Sequence, residues 1–255
     1  MALRTRTRTA LLAAAGSVVV ALAATGCGEA SAEDAPVERK AFAFSGKTLT
    51  VDTDNADVTL VPADVKDVEV TRQVNGWVFM GNGPDATWAM KGDRLTLRVK
   101  CSGIASDCEA RHEVKVPRGV TVVVEGDNGD VTASGFDTGL TVRSDNGDVT
   151  VRDVRGALDL GSDNGDITVT GARGKVAGVT SDNGDVQLGF TVVPDRVKAE
   201  SDNGDIEVRL PKGVYKVTAE SDLGDVDVSV DRSDSSAHAV TARSDNGDIT
   251  VRRAG

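Results

Sequence analysis

Two and four residues ahead of a recurring polar block, apolar side chains alternate with polar ones: Val124 and Val122, Val142 and Leu140, Leu160 and Leu158, Val179 and Ala177, Ala199 and Val197. Behind the block the alternation resumes, with Val131 and Ala133, Val149 and Val151, Ile167 and Val169, Val186 and Leu188, Ile206 and Val208. A period of two belongs to a strand with one buried face, so each unit predicts strand, turn, strand. The block reads Ser-Asp-Asn-Gly-Asp followed by Val or Ile and starts at Ser144, Ser162, Ser181, Ser201 and Ser244; variant copies start at Thr53, Gly126 and Ser221. Asn-Gly supplies the turn, because both residues tolerate positive φ. Ala56 and Leu223 replace Gly and Asn in their copies and predict a slightly different turn there.

From Gly126 onward the blocks start 18, 18, 19, 20, 20 and 23 residues apart. Such a repeat suits a meander of hairpins or a parallel solenoid in which each unit is one coil. A meander gives no reason for the turn chemistry to recur. A solenoid does, because equivalent Asn, Thr and Val side chains stack about 4.8 Å apart. It also suits a chain with 28 glycines and only 5 Phe, 2 Trp and 1 Tyr, since a narrow coil accepts few rings. The expected fold is all-β: a single-stranded parallel β-solenoid of 18–20-residue coils over residues 121–252, with a β-rich N-terminal portion and cap over 41–120. Within that portion the pattern predicts strands near 65–74, 77–80, 87–90, 94–99 and 112–116. After Val251 come only Arg252, Arg253, Ala254 and Gly255, so the last strand is expected at an exposed edge that the arginines blunt.

The chain opens differently. Arg4, Arg6 and Arg8 precede a small apolar run from Ala10 to Ala24, which reads as a secretory signal over residues 1–26. It ends in Thr25-Gly26-Cys27, which resembles the lipobox of bacterial lipoproteins; the resemblance implies lipidation of Cys27 and an extracytoplasmic chain anchored to the membrane. Residues 27–40 are expected to be a flexible tether. In an oxidising compartment Cys101 and Cys108 are expected to form a disulfide. The whole chain carries −11; without the three leader arginines Lys plus Arg falls from 29 to 26 against 40 acids, giving −14. Such a body repels phosphate, which argues against nucleic acid as a partner.

Leu49-Thr50-Val51 leading into Asp54-Asn55-Ala56-Asp57-Val58, then Arg94-Leu95-Thr96-Leu97, Val114–Val120 and the Ser-Asp-Asn-Gly-Asp series together resemble a bacterial family known as the putative adhesins. The resemblance spans roughly residues 45–252. It implies an extracytoplasmic β-solenoid domain without an established enzymatic role.

Candidate chemistry is sparse. His112 and His238 are read as surface residues, and no Gly-x-Ser-x-Gly elbow brings a serine to either. Acids recur uniformly instead of forming one distinctive pair, so a polysaccharide-processing enzyme ranks third. The Asp rows raise a Ca²⁺ question. In the simpler arrangement each Asp accepts N–H groups of its own turn. In the alternative, Ca²⁺ lies between successive turns, held by Asp145, Asp148, Asp163, Asp166, Asp182, Asp185, Asp202 and Asp205. Trp77, Phe79 and Trp88 either fill the N-terminal core or form a partner contact. The expected function is a non-catalytic, lipid-anchored surface module for binding, adhesion or structure, with an envelope protein or polysaccharide as partner. A Ca²⁺-stabilised stalk without a specific partner is the alternative.

Overall fold

The structure is a computed structural model and describes residues 32–255. The expected signal peptide and Cys27 lie outside the described residues. Among those residues there is one short 3-10 turn, Ala32–Asp34, and 22 strands, with no α-helix.

The N-terminal portion supplies β1 (Glu38–Phe42), β2 (Thr48–Asp54), β3 (Asp57–Ala63), β4 (Val68–Phe79), β5 (Asn82–Lys91), β6 (Arg94–Ser102) and β7 (Ala105–Pro117). The repeats then give strand pairs: β8 (Thr121–Asn128) and β9 (Val131–Ser134), β10 (Leu140–Asn146) and β11 (Val149–Arg152), β12 (Leu158–Asn164) and β13 (Ile167–Ala172). They continue as β14 (Val176–Asn183) and β15 (Val186–Phe190), β16 (Arg196–Asn203) and β17 (Ile206–Leu210), β18 (Val214–Leu223) and β19 (Val226–Ser229). The short β20 (Asp231–Arg232) precedes the last pair, β21 (Ala239–Asn246) and β22 (Ile249–Arg253).

Two sheets of 11 strands result, and every repeat contributes one strand to each. We call such a strand pair a rung. Neighbouring rungs are parallel and in register: Val142 faces Leu160 and Asn146 faces Asn164, then Leu160 faces Val179 and Asn164 faces Asn183. Inward residues from both sheets form one continuous core that runs from Phe42 to Val251. Both sheets and the core run through residue 120 without a break. Val, Leu, Ile and Ala dominate the inner strands, and the few rings sit at the ends and corners, where Phe136, Phe190 and Tyr215 are buried.

The rungs are not stacked in chain order. The rung of β6 and β7 lies outside that of β2 and β3, so the latter is held between it and β8 with β9. At the other end β21 pairs with both β16 and β18, and β22 pairs with both β17 and β19. The last rung in the chain is thus internal. This corrects the expectation of an exposed final strand: Arg252 lies beside β17 and pairs with Glu207, which Arg209 also holds. Both arginines, Arg209 foremost, keep the Glu207 carboxyl below its ordinary pKa. The outer rung is β18 and β19, where Leu223 and Val226 are exposed and only Val214 and Tyr215 gain a further strand, from β20.

Residues 32–40 also differ from expectation. They do not form a free tether; Ala32 is fully buried, and β1 pairs antiparallel with β4 from Glu38↔Arg72 to Phe42↔Val68. The strands predicted as short pieces are longer. β4 runs through Gly76 to Phe79, and β7 begins at Ala105. The β4–β7 and β5–β6 pairs are antiparallel and extend past the stack as a two-layered finger.

Candidate functional site

Three features carry polar or exposed chemistry: the turn ridge, the buried His112 and the finger.

Along the ridge, each block Asn from Asn128 onward donates its side-chain N–H to the Asn one rung away. Asn128 Nδ2 meets Asn55 Oδ1 at 3.1 Å, and Asn146, Asn164, Asn183, Asn203 and Asn246 continue the chain at 3.1–3.2 Å. Beside it, Asp57 Oδ1 accepts the backbone N–H of Asp130 at 3.0 Å; Asp130, Asp148, Asp166, Asp185, Asp205 and Asp248 each accept the next rung's N–H at 2.7–2.9 Å. The carboxylates are therefore bonded across rungs and not within their own turns, which corrects the simpler arrangement weighed above. A third row joins Ser162, Ser181, Ser201 and Ser244 Oγ to glycine carbonyls of the preceding rung at 2.9–3.3 Å. Glycine is required here by crowding: a Cβ on Gly165 would lie 2.3 Å from the Gly147 carbonyl oxygen. In the first copy the positive φ falls on Asn55, at 52°, and the Ala56 methyl packs with Val99 and Ala110.

The Asp residues at the second block position, among them Asp145, Asp163, Asp182 and Asp202, lie exposed on the ridge. Their backbone carbonyls accept the Asn Nδ2 of the neighbouring rung. Among the described residues no three His, Cys, Asp or Glu side chains converge as metal ligands.

The place of His112 corrects the expectation of a surface residue. On β7 it alternates with Ala110, Val114 and Val116 on the inner face and is 2% exposed, and neither ring nitrogen has a partner. Burial, helped by the positive Arg72 across the β4–β7 ladder, pushes its pKa down to about 4. His238 is half-buried, with Nδ1 2.9 Å from the Pro194 carbonyl and 3.5 Å from Asp195.

The finger has its own small core of Ala56, Val99 and Ala110, with Val74, Ala86 and Cys101 against it. The Cys101–Cys108 disulfide ties β6 in one sheet to β7 in the other. The three aromatics take different places. Trp88 points inward against Phe42, whose ring centroid is 6.3 Å away, and beneath Arg72. Trp77 and Phe79 point outward and are 52% and 57% exposed. At the tip they are joined by Met80 at 71% and by Ile104 at 76%, the latter a residue that sequence patterning did not single out. The Ile104 N–H donates to the Phe79 carbonyl and closes the tip.

Stacked strand–turn–strand rungs with in-register polar ridges define a class of all-β repeat protein. The chain belongs to the Toastrack DUF4097 family, whose profile matches residues 47–252. It is similar to the crystal structure of a putative adhesin from Bacteroides fragilis, with 15% identity, TM-score 0.52, and coverage of 86% of this chain and 97% of that one. A putative adhesin from Parabacteroides distasonis gives 15% identity and TM-score 0.47, with 87% and 98% covered. No curated protein matches the chain.

Proposed function

We propose that the protein is an exported, lipid-anchored, non-catalytic surface module whose two sheets are the walls of a parallel β-solenoid. It serves as a rigid support for adhesion to an envelope protein or polysaccharide. The observation that carries this reading is the ridge. Successive rungs are locked together by Asn–Asn, Asp–N–H and Ser–carbonyl rows, so the exposed Asp, Thr and Arg side chains are held at a fixed repeat of about 4.8 Å. A surface of equivalent groups at constant spacing suits a long or repetitive partner. The basic n-region, the Cys27 motif and the disulfide support export.

Two measurements test the reading. Cys27→Ser is expected to move the protein from the membrane to the soluble fraction, and unchanged membrane retention counts against the anchor. A pull-down from native envelope with the chain from Cys27 onward is expected to retain one protein or polysaccharide stoichiometrically. Retention of nothing beyond an inert β-protein control counts against adhesion.

A further inference from the structure

The exposed apolar tip and the N-terminal strap meet at the same end of the finger. On β4, Gln73, Asn75, Trp77 and Phe79 share the outer face, since side chains alternate along a strand. The strap lies over the first part of that face. Gln73 Nε2 donates to the carbonyls of Glu33 and Ala35 at 2.8 and 3.2 Å, Arg111 pairs with Glu33, and the Ala32 N–H donates to Glu109 at 2.7 Å. Glu109 is opposite Asn75, and Trp77 is opposite Asp107.

The direction of the strap follows from its pairing. From Glu38 to Phe42 the chain moves along β4 from Arg72 to Val68, away from the tip. Read backwards, from Glu38 to Ala32, it moves towards the tip. Cys27 is five residues before Ala32, a reach of at most about 17 Å. From Asn75 to Phe79 along β4 is about 14 Å. A chain of that length puts the level of Trp77, Phe79, Met80 and Ile104 within reach of a lipid on Cys27.

We propose that this tip dips into the lipid bilayer interface beside the anchor, so that Trp77, Phe79, Met80 and Ile104 form a second membrane contact and the stack stands off the surface on its finger. The proposal rests on the reading of Cys27 as the lipidated residue. Tryptophan favours the headgroup level, where its ring is apolar and its N–H stays wet. Asp107 and Glu109, on the flank of the finger, remain hydrated at shallow depth. A lipid and a set of apolar side chains acting together hold a surface far better than either alone. The position and direction of the strap favour a bilayer over a protein partner for this tip.

The test supplies the anchor chemically, which separates it from native lipidation. The chain from Cys27 onward contains every described residue, and its other two cysteines form the disulfide. It is coupled through Cys27 to a maleimide lipid in phosphatidylcholine vesicles with plain or brominated acyl chains. The Trp77 emission, taken as wild type minus Trp77→Phe, is expected to fall about twofold or more in the brominated vesicles, while the remaining Trp88 emission holds. Trp77→Phe is expected to melt with wild type, since its site is half exposed. Equal Trp77 emission in the two vesicle types overturns the proposal. A concentration-dependent blue shift of Trp77 without vesicles, with no quenching when vesicles are present, also overturns it, in favour of a protein contact. Failure of Cys27→Ser to release the protein from cells leaves the vesicle readout intact and counts against native lipidation alone.

Discussion

The guanidinium of Arg72 lies 4.1 Å from the centroid of the Trp88 ring, and so spans the gap between the two sheets. Its Nη1 donates to the Ala86 carbonyl at 2.8 Å and its Nη2 reaches Glu38 at 2.7 Å, which ties β1, β4 and β5 together. Arg72 thus takes the place of an apolar plug at the wide end of the core.

Arg72→Ala is expected to cost about 2 kcal/mol or more, because it removes stacked surface and leaves the Ala86 carbonyl unpaired. Arg72→Lys keeps the charge without the planar stack and is expected to recover only part of this. Denaturant melts measure the loss, and hydrogen exchange across residues 38–42 shows whether β1 frays first.

His112 predicts an acid weakness with a definite sign. Its folded pKa of about 4 lies below the ordinary value of 6.5, so the unfolded chain binds the proton more readily. The contribution from its neutral form is complete above about pH 6.5 and is lost as pH falls towards 4, by about 3 kcal/mol in all. His112→Phe is expected to flatten the dependence of stability on pH across that window, so that wild type loses about 3 kcal/mol relative to the variant as pH falls through it. An unchanged slope overturns the assignment.

The ridge predicts position-dependent costs. Asn164 donates to Asn146 and accepts from Asn183, so Asn164→Leu breaks both links and is expected to cost about 1–3 kcal/mol. Leu223, on the outer rung, already lacks the amide, and Leu223→Asn is expected to be neutral or slightly stabilising. Gly165→Ala forces a Cβ against the Gly147 carbonyl and is expected to exceed either. Thermal melts of the three variants rank them.

Calcium is expected to do no more than screen. The inner carboxylates already spend Oδ1 on backbone N–H groups of the next rung. Millimolar Ca²⁺ is therefore expected to raise Tm no further than NaCl at matched ionic strength. A larger rise with Ca²⁺ restores the cation reading of the Asp rows.

The outer rung predicts association. Unpaired parallel edges with exposed Leu223 and Val226 invite a second chain. Val226→Lys is expected to lower self-association of the wild type in sedimentation at high concentration. Arg252→Val, by contrast, is expected to act through the lost Glu207 pair and not through an edge.

Much of this was legible because it is local. Alternation gave the strands, and recurrence of the Asn-Gly block gave parallel registration, since like residues stack best on like. His112 was legible too. Period two from Ala110 to Val116 places it inward, between the outward-facing Arg111 and Glu113. The stacking order was not legible, because rungs with the same pattern are interchangeable neighbours as far as sequence shows. Leu223 was the trace of it, a break in the amide row where the row ends. Trp77 and Trp88 could not be told apart by alternation alone. Their strands lie in opposite sheets, and only the crossing at the tip decides which ring turns inward.

The position of β21 and β22 bears on how the chain assembles as it is made. Until residues 239–253 have emerged, β18 and β19 lack the rung they stack on, β18 having only the short β20 beside it. The array cannot close by adding one unit after another. The rung of β18 and β19 joins the stack only through β21 and β22, so its native seat depends on residues made after it. Loss of residues 239–253 would therefore remove a keystone, and would leave about 25 residues, 214–238, without their native seat.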